Sequence, residues 1–243
     1  MKEYLDSTYL KTPEQSDLSV QETEQRVVDL VQEAIENRFK AVMIRPGYVK
    51  LAKKIVDKAQ SRVKVGTVIG FHEGINTIKE KIQEAERAID DGADELDFVL
   101  NFQQLKNGNL DFVKEEVKTG NDLVLNKGRV IKWIIETAAL TDEQIAAASE
   151  LIREVTLEYL PSKTDEVFVK SSTGFYTTKD GSPNGATPHA IEIMLKHAHP
   201  LPVKAAGGIR NAEEAKKLIR MGVKRLGTSS AKEIVDGNEA EGY

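Results

Sequence analysis

The chain has 243 residues, of which 40% are hydrophobic and 30% charged, a composition typical of a globular protein rather than a disordered or collagen-like one. Lysine and arginine number 34 against 39 aspartates and glutamates, so the formal charge of −5 disfavours nucleic acid and anionic membranes as partners. The absence of cysteine excludes disulfides, thiolate nucleophiles and cysteine-ligated metals. No signal-peptide core or membrane-length apolar stretch is found, so we expect a cytoplasmic protein.

Short apolar runs rich in β-branched residues alternate with longer charged segments of helical period. The first strand is predicted at residues 4–10, where hydrophobic and polar residues alternate before a Lys-Thr-Pro turn. Seven further strands are predicted at 41–44, 63–69, 95–100, 130–135, 166–170, 203–205 and 225–227. Helices are predicted at 21–37, 48–60, 77–91, 142–160, 189–197 and 212–221.

Eight apolar strands that alternate with helices in ~250 residues predict a single-domain (β/α)8 TIM barrel. We assign the barrel to residues 1–235 and a flexible polar tail to residues 236–243. The alternative fold is an open doubly wound sheet. Neither a G-x-G-x-x-G nor a P-loop motif follows the first strand, which disfavours that alternative.

Several predicted strands carry ionisable residues, which are seldom buried without a partner. They are Asp97, Lys132, Glu136, Lys170 and Lys204. Internal salt bridges, or strand ends that reach solvent, would explain any one of them. Together they favour chemistry at the C-terminal mouth of the barrel, where TIM-barrel enzymes place their active sites.

Lys170 and Lys204 end neighbouring strands and are followed by small residues, so both can project into the same mouth. Two close ammonium groups and partial burial each favour deprotonation, and a neutral lysine can attack a carbonyl to form a Schiff base. Asp97 and the second lysine could then move protons. Strand placement leaves open which lysine is the nucleophile. We interpret Lys132 as structural rather than catalytic, paired with Asp97 or Glu136.

The last two strands end in glycines and serines that could bind phosphate through backbone N–H groups and hydroxyls at a helix start. These residues are Gly207, Gly208, Ser229 and Ser230. The alternative is a tight turn and a plain helix cap. A third loop, 171–174, could close the same pocket, and the long loop 175–187 is either a mobile lid or a surface insertion.

Other side chains carry weaker signals. The four histidines lack metal-ligand spacing, so we expect no metal site and interpret them as bystanders. Phe98 and Trp133 are expected to pack under the helices. Tyr243 ends the tail, which is either inert or able to fold over the site and shuttle protons.

Six segments, in order, resemble the deoxyribose-phosphate aldolase family, and the likeness covers nearly the whole chain. They are LDSTYLK at 5–11, VGTVIGF at 65–71, GADELD at 92–97, IIET at 134–137, FVKSSTGF at 168–175 and VKAAGGIR at 203–210. The resemblance implies a class I aldolase that interconverts 2-deoxy-D-ribose 5-phosphate with acetaldehyde and D-glyceraldehyde 3-phosphate. It implies no metal and no organic cofactor, small-molecule phosphosugar and aldehyde partners, and a homodimer.

The resemblance also assigns roles to individual residues. It makes Lys170 the Schiff-base lysine, Lys204 the lysine that perturbs its pKa, and Asp97 the proton relay. It places phosphate contacts at Gly174, Gly207, Gly208, Ser229 and Ser230, and puts Thr8 near the substrate. Three features depart from the family pattern: Met43 stands where many members resemble Cys, His72 stands where proline is usual, and the segment after Phe175 is longer.

Two rival functions stay open. One is a different Schiff-base aldolase or transaldolase that acts on another phosphosugar. The other is a catalytically silent barrel that binds a sugar phosphate, which ligand-induced thermal stabilisation without turnover would reveal.

Overall fold

The computed structural model, which describes residues 1–178, 181 and 184–238, contains eight parallel strands. They are β1 (Leu5–Tyr9), β2 (Ala41–Ile44), β3 (Lys64–Ile69), β4 (Glu95–Val99), β5 (Val130–Ile134), β6 (Val167–Lys170), β7 (Val203–Ala206) and β8 (Arg225–Thr228). Strand β1 pairs with both β2 and β8, which closes the sheet into a barrel. The (β/α)8 prediction is confirmed, and an open doubly wound sheet is excluded.

Ten α-helices occur in the described ranges, most of them on the outside of the barrel between successive strands. They are α1 (Pro13–Ser16), α2 (Val20–Asn37), α3 (Val49–Lys58), α4 (Ile78–Asp90), α5 (Phe102–Lys106), α6 (Leu110–Asn126), α7 (Asp142–Tyr159), α8 (Pro188–Ala198), α9 (Ala212–Met221) and α10 (Ala231–Asp236). Four short 3-10 helices lie at Lys2–Tyr4, Pro46–Tyr48, Thr137–Ala139 and Pro161–Glu166. No helix in these ranges combines the length and apolar composition that crossing a membrane requires.

Local sequence explains where the long helices begin. Ser19, Thr77 and Thr141 each accept a hydrogen bond from the backbone three residues on, while the Glu or Gln at that position bonds back to the cap. Such reciprocal capping satisfies two backbone N–H groups that the helix leaves free, and losing the cap side chain costs ~1 kcal/mol.

The predicted set lacks the short helices α1, α5 and α10 and the long helix α6. In α6, Gly120 and Asn121 interrupt the apolar pattern, and both are poor helix formers. The structure shows why they stand there. A Cβ at Gly120 would lie 2.7 Å from the Trp133 ring, and Trp133 Nε1 donates to Asn121 Oδ1 at 2.9 Å. The Phe98 ring packs 5.1 Å from that of Trp133. Trp133 therefore packs under a helix, as predicted, and Phe98 is buried beside it.

The boundary between the barrel domain, 1–235, and the tail, 236–243, stays a prediction. Helix α10 extends through Asp236, the residue at which the predicted tail begins. Residues 239–243, including Tyr243, lie outside the described residues.

Candidate active site

Asp97 on β4 lies at the centre of the barrel interior and contacts three lysines from the following strands. Its Oδ2 accepts hydrogen bonds from Lys170 Nζ and Lys204 Nζ, each at 2.8 Å. Its Oδ1 accepts from Lys132 Nζ, also at 2.8 Å. The structure thus brings together Asp97, Lys170 and Lys204, the three residues predicted to be catalytic. Lys132 pairs with Asp97, one of its two predicted partners, and also lies 2.7 Å from Glu95 Oε2.

Three further buried charges complete this network. Arg225 on β8 donates to Asp6 Oδ1 on β1 and to both carboxylate oxygens of Glu95 on β4. Lys204 Nζ lies 2.6 Å from Asp6 Oδ2, an ion contact whose angles fall outside those of a hydrogen bond. Sequence reasoning did not single out Asp6, Glu95 or Arg225. The spacing of Asp6 and Glu95 could have identified them. Asp6 precedes Thr8 by two residues and Glu95 precedes Asp97 by two, so each pair lies on one face of a strand.

The network contains more positive than negative groups. Its cations are Lys132, Lys170, Lys204 and Arg225, and its carboxylates are Asp6, Glu95 and Asp97. With every group ionised the balance is 4 − 3 = +1. Releasing one proton from a lysine would bring the network to neutrality.

Lys170 is the group best placed to release that proton. Burial lowers the pKa of Lys170 to about 8; Asp97 opposes this effect and the charge of Lys204 reinforces it. At pH 7 roughly a tenth of Lys170 is then neutral, against roughly one part in 3,000 for an ordinary lysine. Burial also acts on Lys132, but Asp97 and Glu95 outweigh it and raise the pKa of Lys132. Although burial opposes ionisation, the three lysines hold the pKa of Asp97 well below its ordinary value.

A cavity of about 140 Å³ opens above Lys170 at the C-terminal end of the strands. Its lining includes all seven predicted residues that could meet a substrate there: Thr8, Lys170, Gly174, Gly207, Gly208, Ser229 and Ser230. Asp97 and Lys204 are fully buried beneath it. Met43 is also buried and is not part of the lining.

Glycines form the side of the cavity where phosphate binding is predicted. Gly207 and Gly208 both adopt left-handed backbone conformations, with φ of 90° and 75°. A Cβ at Gly185 would lie 2.2 Å from the carbonyl oxygen of Gly207, so only glycine fits at that contact. Ser230 is the N-cap residue of α10, but its side chain makes no capping hydrogen bond there.

The loop after Gly174 contributes to the cavity in its described part. Phe175 and Asn184 line the wall, and Ala186 N donates to Gly207 O at 3.0 Å. The His72 ring stacks on Phe175 with centroids 5.8 Å apart. This part of the loop is therefore packed against the candidate site rather than being a separate surface insertion. Asn184 was not anticipated from the sequence.

Glu136 lies deeper than a polar residue of the mouth would. It is fully buried two residues after β5 and accepts hydrogen bonds from Thr173. Burial raises the pKa of Glu136, although hydrogen bonds from Thr173 and Ser172 oppose the shift. Glu136 is not among the partners of Lys132 in the described network.

A closed parallel barrel with a cavity at the C-terminal end of its strands is the architecture typical of barrel enzymes. Comparison with known proteins narrows this class. A family model described as DeoC/LacD family aldolase matches residues 9–237. The chain belongs to this family of aldolases, which are lyases.

Relatives and solved structures agree with this assignment. The chain is 40% identical over 235 residues to a deoxyribose-phosphate aldolase of Thermococcus gammatolerans, covering 96% of this chain and 94% of the relative. It is 39% identical over 236 residues to one of Lactiplantibacillus plantarum, covering 97% and 98%. A solved tetrameric structure of deoxyribose phosphate aldolase from Aeropyrum pernix matches with a TM-score of 0.76 and 30% identity, covering 96% of this chain and 88% of that chain. An aldolase designated QR15 matches with a TM-score of 0.81 and 35% identity, covering 97% and 94%.

Proposed function

We propose that the protein is a class I aldolase that reversibly cleaves 2-deoxy-D-ribose 5-phosphate to D-glyceraldehyde 3-phosphate and acetaldehyde through an imine on Lys170. One observation carries the proposal: Lys170 Nζ and Lys204 Nζ share Asp97 Oδ2 at 2.8 Å, with Lys170 lining the cavity. Lys170 can therefore meet a substrate carbonyl as a partly deprotonated amine, while Lys204 stays beneath as a second cation.

Imine formation begins when the neutral amine of Lys170 attacks C1 of the open-chain sugar. A C–N bond forms, the former carbonyl oxygen takes up a proton, and loss of water gives the iminium ion. Asp97, whose pKa the three lysines hold low, orients Lys170 and Lys204 and relays protons together with Lys204 and a water molecule. The proton is supplied by Lys204 or by a water molecule next to it.

Carbon–carbon cleavage follows when the C3 hydroxyl gives its proton to a water molecule next to Asp97 and Lys204, which later returns it to C2, and the C2–C3 bond breaks. The electron pair moves into the iminium ion to give an enamine, and glyceraldehyde 3-phosphate leaves. Protonation at C2 and addition of water release acetaldehyde and return Lys170 to the free amine. The glycine and serine side of the cavity would hold the 5-phosphate through backbone N–H groups and hydroxyls.

The test is borohydride reduction of the protein mixed with acetaldehyde or deoxyribose 5-phosphate, followed by peptide mass spectrometry. We expect a stable adduct on the peptide that contains Lys170, and neither adduct nor turnover in Lys170→Met. An adduct on Lys204 would reverse the two lysine roles. Turnover by Lys170→Met would overturn the mechanism, and ligand binding without an adduct would favour the silent binding barrel.

The substrate, the cellular role and the oligomeric state each need an experiment of their own. Condensation of a panel of phosphorylated aldehydes with acetaldehyde distinguishes this activity from that of an aldolase or transaldolase for another phosphosugar. A role in deoxyribonucleotide catabolism, a cytoplasmic location and a homodimer stay predictions. Light scattering on the purified protein measures the oligomeric state, for which the tetramer named for the Aeropyrum pernix enzyme is the alternative.

A further inference from the structure

Glu136 is a buried acid that the proposed mechanism does not use. Its side chain is fully buried, and its backbone adopts a left-handed conformation with φ of 59°, which is uncommon for any residue other than glycine. Such conformations concentrate at functional sites, where surrounding contacts hold them in place. This one turns the chain out of β5 and into the 3-10 helix Thr137–Ala139.

The side-chain hydrogen bonds of Glu136 come from the segment that follows Lys170. Its Oε2 accepts hydrogen bonds from Thr173 N, at 3.2 Å, and from Thr173 Oγ1. Thr173 Oγ1 in turn accepts from Phe175 N at 3.0 Å. Glu136 is therefore linked to the chain on both sides of Gly174, and Thr173, Gly174 and Phe175 all line the cavity.

The charge of Lys170 and hydrogen bonds from Thr173 and Ser172 favour the ionised form of Glu136, but they do not cancel the effect of its burial. Among the described residues Glu136 forms no ion pair, and its Oε1 is buried without a hydrogen-bond partner. Burying a carboxyl group in this way is unfavourable, so its contact with Thr173 must serve some purpose beyond packing. Glu136 itself does not line the cavity, so any effect on a substrate must pass through Thr173.

We infer that Glu136 is a positioning residue that fixes Thr173, Gly174 and Phe175 in the conformation that receives the phosphate of the substrate. The inference rests on the proposed function, because it assumes that the substrate carries a phosphate on this side of the cavity. Preorganised backbone donors bind an anion without first having to be ordered, so loosening the segment weakens phosphate recognition in particular.

The test compares selectivity for phosphate between variants. The readout is kcat/KM for deoxyribose 5-phosphate divided by kcat/KM for 2-deoxyribose. We expect Glu136→Ala to lower this ratio about tenfold, mainly through KM for the phosphorylated sugar, as the loss of a buried hydrogen-bonded contact predicts. Glu136→Gln keeps an oxygen acceptor for Thr173 and should restore most of the ratio.

A double-variant cycle tests whether the effect passes through Thr173. If it does, adding Glu136→Ala to Thr173→Val lowers the ratio by less than twofold beyond Thr173→Val alone. Glu116→Ala is the matched control, because Glu116 is also a buried carboxylate that accepts from a backbone N–H, but its donor, Asn101, does not line the cavity. It should lower thermal stability and leave the ratio unchanged.

Three results would overturn the inference: an unchanged ratio in Glu136→Ala, an equal loss on both sugars, or full additivity with Thr173→Val. If Glu136→Ala does not fold, Glu136→Leu, which fills the space but cannot accept a hydrogen bond from Thr173, paired with Thr173→Val gives the same cycle. If the wild-type protein shows no turnover, the proposed function fails separately. The dissociation constant of deoxyribose 5-phosphate, measured calorimetrically in the same variants, then decides the inference.

Discussion

Folding destabilises the protonated form of Lys170, the proposed nucleophile. Lys170 must lose its proton to attack a carbonyl, and it belongs to a buried network with one more cation than carboxylate. Keeping the proton therefore costs folding free energy, and releasing it relieves that cost. Strain of this kind at a reactive group is one origin of the trade-off between stability and activity.

We predict that Lys170→Met is more stable than the wild type at pH 7. The pKa of Lys170 falls from 10.5 in the unfolded chain to about 8, so its proton costs roughly 3 kcal/mol on folding at neutral pH. Losing the hydrogen bond to Asp97 offsets part of this, which leaves a gain of about 1–2 kcal/mol. Urea unfolding measures the gain.

The stability gain of Lys170→Met should depend on pH. The wild-type penalty is fully present below pH 8 and disappears as the pH rises through 10.5, where Lys170 is neutral in both states. The advantage of Lys170→Met should therefore vanish at high pH. Lys50→Met removes an exposed lysine and should change stability by less than about 0.5 kcal/mol. A Lys170→Met variant less stable than wild type at pH 7 would contradict the prediction.

The pH profile of imine formation should report the same group. Because only the neutral amine attacks, the rate of cyanoborohydride trapping with acetaldehyde should rise with pH, with a midpoint at about 8. Lys204→Met removes a charge that helps to lower the pKa of Lys170, so its midpoint should move to higher pH. A wild-type midpoint near that of an ordinary lysine would show that the network leaves Lys170 unperturbed.

At the scale of secondary-structure elements, much of the barrel and its lysines follows from local patterns. The eight predicted strands agree with the observed ones to within a residue at each end, because buried parallel strands are short, apolar and bounded by turns. Lys170 and Lys204 end their strands, so the alternation of side chains alone directs both to the mouth. The long helix that these patterns do not predict is α6, where Gly120 and Asn121 have low helix propensity but are required by the contact with Trp133.

Other features depend on contacts between distant elements and are less visible in the sequence. Glu136 continues the inward alternation of β5, yet its left-handed backbone turns the side chain toward the loop after β6. Asn184 reaches the cavity because Gly185 packs on Gly207, a contact between two loops. A strand pattern specifies which face a residue occupies but not which loop folds onto it.

A second buried ion pair holds two helices to the barrel outside the candidate site. Lys81 on α4 contacts Glu116 on α6 at 2.5 Å and donates to the carbonyl oxygens of Gly74 and Val99, each at 2.7 Å. Glu116 also accepts from Asn101 N at 2.9 Å. These contacts fix the loops that follow β3 and β4, so α4 and α6 help to position the strand that carries Asp97.

We predict that Lys81→Met destabilises the protein by about 3–5 kcal/mol, because it leaves Glu116 and two carbonyl oxygens buried without their partner. The double variant Lys81→Met with Glu116→Leu should recover part of this loss, since no uncompensated charge remains. Chemical unfolding of the two single variants and the double variant measures the coupling. Additive losses would show that the two residues do not act as a pair.

On the scale of the whole barrel, the buried charges form one electrically coupled unit. The network includes residues of β1, β4, β5, β6, β7 and β8, and the contact of Asp6 with Arg225 joins the first strand to the last. The ion pair that helps to close the barrel is therefore connected, through Lys204 and Asp97, to the amine at the mouth. Removing a charge from the ion pair that joins β1 to β8 should therefore change the pKa of Lys170.

Asp6→Asn tests this coupling, because asparagine keeps the size of the side chain and removes its charge. The network would then hold four cations and two carboxylates, so its excess rises from +1 to +2. A more positive surrounding disfavours the ammonium form, so we predict that the trapping midpoint falls below about 8. This shift is opposite in sign to that of Lys204→Met. Stability should also fall by about 3 kcal/mol, because Arg225 and Lys204 lose a partner.

Asp94→Asn is the control for Asp6→Asn. Asp94 lies one residue before β4, outside the network, and its ion contacts are with Lys53 and Arg129. It should leave the trapping midpoint unchanged. A midpoint that rises in Asp6→Asn would contradict the predicted sign, and an unchanged midpoint would mean that the charges at the barrel closure do not act on Lys170. Only a fall shows that the charges which close the barrel also set the reactivity of its lysine.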